Sequence, residues 1–346
     1  MKLKTVNIII LGVAFVAVLG WVVYQDGLDN LLGMFRLLNP GWLCCAVGMM
    51  LLYWLLEGGI LHGVVKCFYR EQRFGSSFTT SMIGQLFNCI TPFSSGGQPV
   101  QAFHMVKTGV PLGVAGGSLL IKFIIYQFCL TVYSIVMLLV YWKPLSVNVS
   151  GFGYLVFVGF AINFGVMLLL VGVCFFRRFT SKVAHGLIRL LAKLRFVKDK
   201  EHTLGYIDAE LLEFHKSFTQ IKDHPGMVAQ ASLLSMVQLT VFFLIPYFIC
   251  LAFGIRGISP MLVIAAQSFV VMISSFVPLP GAAGGAEYSF HTFFSAFFAP
   301  ANVSINLAML LWRLITFYLP ILAGMCFMLG GPRKNKEKPE RGEKAA

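Results

Sequence analysis

The chain has 346 residues, of which 58% are hydrophobic and 12% charged, with a formal net charge of +13, and its mean hydropathy is +0.80. A soluble domain carries roughly 25% charged residues, so this composition excludes an ordinary soluble enzyme and describes an all-α, polytopic integral membrane protein. The positive charge follows membrane topology and not a nucleic-acid surface. The cations gather in alternate loops, with ten between Arg177 and Lys222 and six after Gly331. By the positive-inside rule those regions and both termini are cytoplasmic.

In chain order, apolar runs of near or above the ~20 residues that cross hydrocarbon predict spanning helices at Val6–Tyr24, Trp42–Val64, Leu112–Tyr141, Tyr154–Phe176, Gly226–Phe253 and Asn302–Leu329. The first is read as an uncleaved helix, because no small-x-small cleavage pattern precedes Asp26. Between Arg177 and His224 two amphipathic patterns, Lys182–Phe196 and Leu204–Ile221, predict a helical cytoplasmic loop. Residues 1–330 are expected to form one transmembrane domain with that loop inserted, and 331–346 a disordered basic tail. The eight cysteines are scattered through apolar segments without metal or redox spacing.

Two further apolar segments are interrupted. Phe78–Val106 breaks at Thr91-Pro92 and Gly96-Gly97, and Ile258–Phe298 breaks at Pro278-Leu279-Pro280-Gly281 and Gly284-Gly285. Both are expected to be re-entrant hairpins. Counting crossings, the first opens from the cytoplasm and the second from the outside, which makes the two halves an inverted repeat. Non-helical backbone at membrane depth is tolerated only in protein or beside a wet cavity, so both turns should face a shared interior.

That interior collects the candidate site. The first turn offers Pro92, Ser94, Ser95, Gly96, Gly97, Gln98 and Gln101; the second offers Pro280, Gly281, Gly284, Gly285 and Glu287. Each is followed by one cation in a similar apolar frame, Lys122 in LLIKFIIY and Arg313 in LLWRLITFY. Glu57 and Glu287 are the acids of the membrane segments, and Gln98 is taken as the neutral counterpart of Glu287. A charge at a helix centre costs roughly 2.5–3.5 kcal/mol on insertion scales. The four charges should therefore pair with one another or meet a charged ligand. A net positive cavity would suit a lipid phosphate, with Arg in bidentate contact and Lys as a point charge. A helix beginning near Glu287 would add free N–H groups. His104 and His291, each after a Phe beyond its Gly-Gly turn, are candidate proton relays. No nucleotide, zinc or nucleophile-elbow motif is present, and no cofactor or metal is expected.

At PFSSGGQPVQAF, PLPGAAGGAEYSF and LWRLITFYLP the sequence resembles the transmembrane domain of lysylphosphatidylglycerol synthases, the multiple peptide resistance factors, and their stand-alone flippase-like relatives. The resemblance spans about Val6 to Leu329. It implies re-entrant hairpins and movement of a phospholipid, including aminoacylated phosphatidylglycerol, between leaflets of a bacterial plasma membrane. A homodimer is implied by the resemblance alone. Many members have a Glu near Gln98 and an Arg where Lys122 stands. The full-length synthases add a transferase domain that is not expected here, so transport is favoured over catalysis. The alternatives are a phosphatidylglycerol lysyltransferase and a non-catalytic membrane partner of an envelope enzyme.

Overall fold

The computed structural model describes residues 38–148, 152–175, 220–274, 279–299 and 303–330, together with residues 33, 181, 186 and 277. The expected span Val6–Tyr24, nearly all of the 177–224 loop, Pro278 and the 331–346 tail lie outside the described residues.

Every regular element described is helical. Helix α1 (Pro40–Phe68) starts where Asn39 Oδ1 accepts from Gly41 N at 2.9 Å and Pro40 occupies the first position, which needs no donor. Helix α2 (Phe74–Ile90) stops because the residue before a proline is driven to extended backbone, as Thr91 is at φ −113 and ψ 148. Helix α3 (Gly97–Lys107) returns after a short turn. Helix α4 (Leu112–Asn148) kinks at Tyr141, one turn before Pro144, whose ring collides with the preceding turn's carbonyl. Helix α5 (Phe152–Phe175) follows. Helices α6 (Pro225–Phe243) and α7 (Ile245–Ala252) form one rod interrupted next to Pro246. Then come α8 (Pro260–Ser274), α9 (Gly285–Phe298), α10 (Ile305–Arg313), a π-helical segment (Leu314–Tyr318) and α11 (Leu319–Leu329).

Among the described residues, four stretches are long and apolar enough to cross a membrane: Pro40–Phe68, Leu112–Ser146, Pro225–Ala252 and Ile305–Leu329. They match four of the expected spans, and α5 coincides with a fifth. The chain is a multi-pass integral membrane protein.

The interrupted segments are helical hairpins. In the first, Thr80 bonds His104, Gly84 packs on Gln101 and Asn88 bonds Gly97. In the second, Phe269 stacks on Phe293 and Val277 packs on Gly285. As one number rises the other falls, so the arms are antiparallel. The arms have 17, 11, 15 and 14 residues. At 1.5 Å per residue even the longest is about 26 Å, shorter than the ~30 Å hydrocarbon layer.

Helix α1 and the α6–α7 rod are also antiparallel. Asn39 N donates to Ala252 O at one end, Gln238 bonds Glu57 in the middle, and Phe68 meets His224 at the other end. The first hairpin leaves from the Phe68 end. The second leaves from the Ala252 end, where Phe253 packs on Phe298. The hairpin bases therefore sit at opposite ends of this helix pair, and the two turns touch one another. Cross-packing is reciprocal. The last helix, α11, lies on α2, the first arm of the first hairpin, and α4 lies on α8, the first arm of the second.

The α2–α11 contact depends on a small residue, since a Cβ on Gly324 would stand 2.6 Å from Leu86 Cβ and 2.7 Å from the Met82 carbonyl. Close backbone approach of this kind drives helix association where water cannot. Gly324→Val is expected to destabilise the fold by about 1–3 kcal/mol, measurable as a lowered midpoint of denaturant-induced unfolding in mixed micelles.

Candidate functional site

The two hairpin turns share one backbone path for four residues. Thr91 (φ −113, ψ 148) corresponds to Leu279 (φ −114, ψ 150), Pro92 to Pro280, and Phe93 (φ 54, ψ 18) to Gly281 (φ 61, ψ 20). Ser94 and Ala282 follow with φ 51 and 53. Two successive left-handed residues are costly for side chains with a Cβ. Strain of this kind persists only where the surroundings hold it, and it clusters at functional sites. The paths then part: Ser95 has ψ −17 and Ala283 ψ 139, and at the glycine pairs Gly96 is right-handed (φ −78), whereas Gly284 is at φ 81.

The shared path sets the register. Matched on their prolines, Glu287 corresponds to Pro99, and Gln98 corresponds to Ala286. The expected equivalence of Gln98 and Glu287 is therefore off by one position. Gln98 is the second residue of α3, half-buried, whereas Glu287 is the third residue of α9.

Each turn satisfies its broken backbone differently. In the first, Gly96 N donates to Thr91 Oγ1 at 2.8 Å and Gly97 N to Asn88 Oδ1 at 3.1 Å, while Ser95 Oγ closes on Pro92 O at 2.9 Å. In the second, charges do the work. Gly284 N donates to Glu287 Oε2 at 2.7 Å, so the start of α9 is capped by its own carboxylate rather than left open for an anion. Arg313 Nε donates to Glu287 Oε1 at 2.7 Å and Nη1 to Gly281 O at 3.0 Å. The guanidinium also lies 5.3 Å from the Trp312 ring and 5.1 Å from that of Phe317. A Cβ on Gly281 would strike the Phe317 ring.

Lys122 pairs with Glu57, whose other oxygen accepts from Gln238 Nε2 at 2.7 Å. This brings α1, α4 and α6 to one point. All four membrane charges are thus paired, as their insertion cost demands. The expected net positive cavity is not found, because two acids offset two cations among the described residues. The repeats also solve the problem unequally: Arg313 pairs with its own hairpin, whereas Lys122 pairs with a spanning helix.

Of the other expected residues, Gln101 is buried against Gly84, and Ser94 and Ser95 are exposed at the tip. The two histidines part company. His104 is buried, with Nδ1 2.8 Å from Thr80 Oγ1, whereas His291 is exposed. Thr80 Oγ1 also lies 2.8 Å from Ser76 O, to which it donates, so it accepts from His104 Nδ1–H. Sequence reasoning missed Asn88, Gln238, Trp312 and Phe317. A signal existed for the first two, since an amide inside an apolar run demands a partner.

The family model described as "Lysylphosphatidylglycerol synthase TM region" matches residues 9–324, including both turns and both ion pairs. The chain belongs to this family. It is also 28% identical over 298 residues to a "UPF0104 membrane protein" of Archaeoglobus fulgidus, covering 83% of this chain and 86% of the relative. The family assignment expected from the turn motifs and LWRLITFYLP is thereby shown.

Removing one partner of a buried pair leaves an uncompensated charge, at a cost of about 3–5 kcal/mol, whereas an apolar replacement of both is far milder. Glu57→Ala should destabilise by that order, and the double variant Glu57→Ala/Lys122→Met should recover most of the loss. The unfolding midpoints of the two variants, compared with Lys122→Met alone, check this coupling.

Proposed function

We propose that this protein is a lipid translocase that handles the headgroup of an anionic or aminoacylated phospholipid where the two hairpin turns meet. In this reading each hairpin is re-entrant, one from each face, and the halves form an inverted repeat within six spanning helices, with both termini cytoplasmic. The contact between two short-armed turns whose bases lie at opposite ends carries the reading. Such an arrangement brings polar, strained backbone to mid-depth from both sides, which supports alternating access.

The chemistry of the junction favours a phosphate-bearing ligand. Arg313 Nη2 makes no hydrogen bond to any described residue, and Lys122 uses one of its three donors on Glu57. A phosphate could accept from these donors without first breaking a pair. Phe93 and Leu279, at 56% and 51% exposure on the tips, supply apolar surface beside the charges, as a ligand with acyl chains requires. A small hydrophilic solute would have no use for them.

The family description names a lysylphosphatidylglycerol synthase, so aminoacylated phosphatidylglycerol is the first substrate to test. The second reading, lysine transfer from charged tRNA to lipid, rests on that description alone. Labelled lysine is expected to stay off the lipid when purified protein is supplied with charged tRNA.

Glu287→Ala and Arg313→Ala, reconstituted in vesicles with fluorescent phosphatidylglycerol, should each lose lipid movement between leaflets while still inserting. Undiminished movement in both variants would reject the site.

A further inference from the structure

We propose that the base of the first hairpin is a docking surface for anionic phospholipid headgroups, the place where such a lipid is gathered before it moves inward; the onward movement rests on the translocase reading. Nine cations lie among the described residues, and their placement is uneven. Lys66 is in the last turn of α1, Arg70 and Arg73 lie in the link to α2, and Lys107 is in the last turn of α3. Lys222 precedes α6. The fold brings these to one end: Phe68 packs on His224, and the Tyr69 hydroxyl approaches Gly109, just beyond Lys107. All five side chains are exposed, against two acids among the described residues at that end, Glu71 and Asp223. Among the described residues, the opposite end holds Lys143 and Arg256.

Apolar surface accompanies the charge. Phe74, Phe103 and Val106 are exposed at the same base, and Lys107 Nζ lies 4.4 Å from the centre of the Phe103 ring. An aromatic side chain under a lysine ammonium belongs at headgroup depth, with the ring toward the acyl chains and the charge toward phosphate. Free phosphate would gain nothing from those rings, whereas a lipid uses both parts.

Behind this surface the hairpin interior is polar. Gln72, Ser76, Ser77, Thr80, Ser81, His104 and Gln101 are all buried, rising from the base toward the tip. Several of their atoms, Gln72 Oε1, Ser76 Oγ, Ser81 Oγ and His104 Nε2, have no hydrogen-bond partner among the described residues. Buried polar atoms without partners are costly, and an opening of the arms would give them water or headgroup oxygens. With Nδ1–H committed to Thr80, His104 presents Nε2 as an acceptor on this path.

The test uses full-length protein in nanodiscs of phosphatidylcholine with a minor fraction of phosphatidylglycerol, and native mass spectrometry counts the lipids retained. The wild type should retain phosphatidylglycerol in excess of its share. The triple variant Arg70→Gln/Arg73→Gln/Lys107→Gln should reduce that enrichment by at least about fivefold. High salt should weaken it in the wild type, and Lys143→Gln/Arg256→Gln should leave it unchanged. Enrichment that survives both the triple variant and salt would overturn the proposal, as would its loss in the opposite-end variant. If the triple variant does not fold, Lys107→Gln with the wild-type salt titration decides on the same criteria. Glu287→Ala should keep the enrichment even where lipid movement is lost; loss of enrichment there would place the retained lipid at the tips and refute a separate docking surface.

Discussion

Hydrocarbon offers a peptide group no hydrogen-bond partner, and each unsatisfied group costs several kcal/mol there. A chain that breaks two helices inside its membrane segments must therefore supply replacements from its own side chains. The first turn does so with neutral atoms, Thr91 and Asn88, and the second with an ion pair, Glu287 and Arg313. The two turns also touch one another. The antiparallel pairing of α1 with α6–α7 sets the opposed hairpin bases and so permits this meeting.

The charges serve the same economy. Glu287 caps its own helix, answers Arg313 and, through Arg313, holds the Gly281 carbonyl. One carboxylate thus ties three segments: the turn, α9 and α10. A ligand that drew Arg313 away from Glu287 would loosen both the helix start and the turn at once. The Lys122–Glu57–Gln238 contact similarly binds α1, α4 and α6. The two matched cations therefore hold different joints, one within the second hairpin and one between spanning helices.

Much of this was legible in the sequence because membrane insertion leaves coarse marks. Apolar length located the spans from Trp42 to Leu329, and the prolines and glycine pairs located both breaks. Scarcity of charge forced the prediction that Glu57, Glu287, Lys122 and Arg313 would find partners. The uneven cations led to opposed hairpins, and the contacts of Asn39 and Phe68 give those hairpins bases at opposite ends. Finer matters were not legible. Gln98 and Glu287 looked equivalent because both come soon after a glycine pair, although Ala286 already sets Glu287 one position later; what the equal glycine letters hid is the opposite φ of Gly96 and Gly284. Which acid served which cation depended on helix crossing, on which the spacing is silent. The roles of Asn88 and Thr91 depended on a turn conformation that only the folded backbone defines.

The π-helical stretch from Leu314 to Tyr318 carries one residue more than ordinary winding would. It sits directly after Arg313 and contains Phe317, the ring that presses on Gly281. Were these five residues to rewind as α-helix, everything before them would swivel by about 100° relative to α11. The guanidinium would then sweep off the second turn as its aromatic support slid away. A latch and its release spring would thus occupy a single turn of helix.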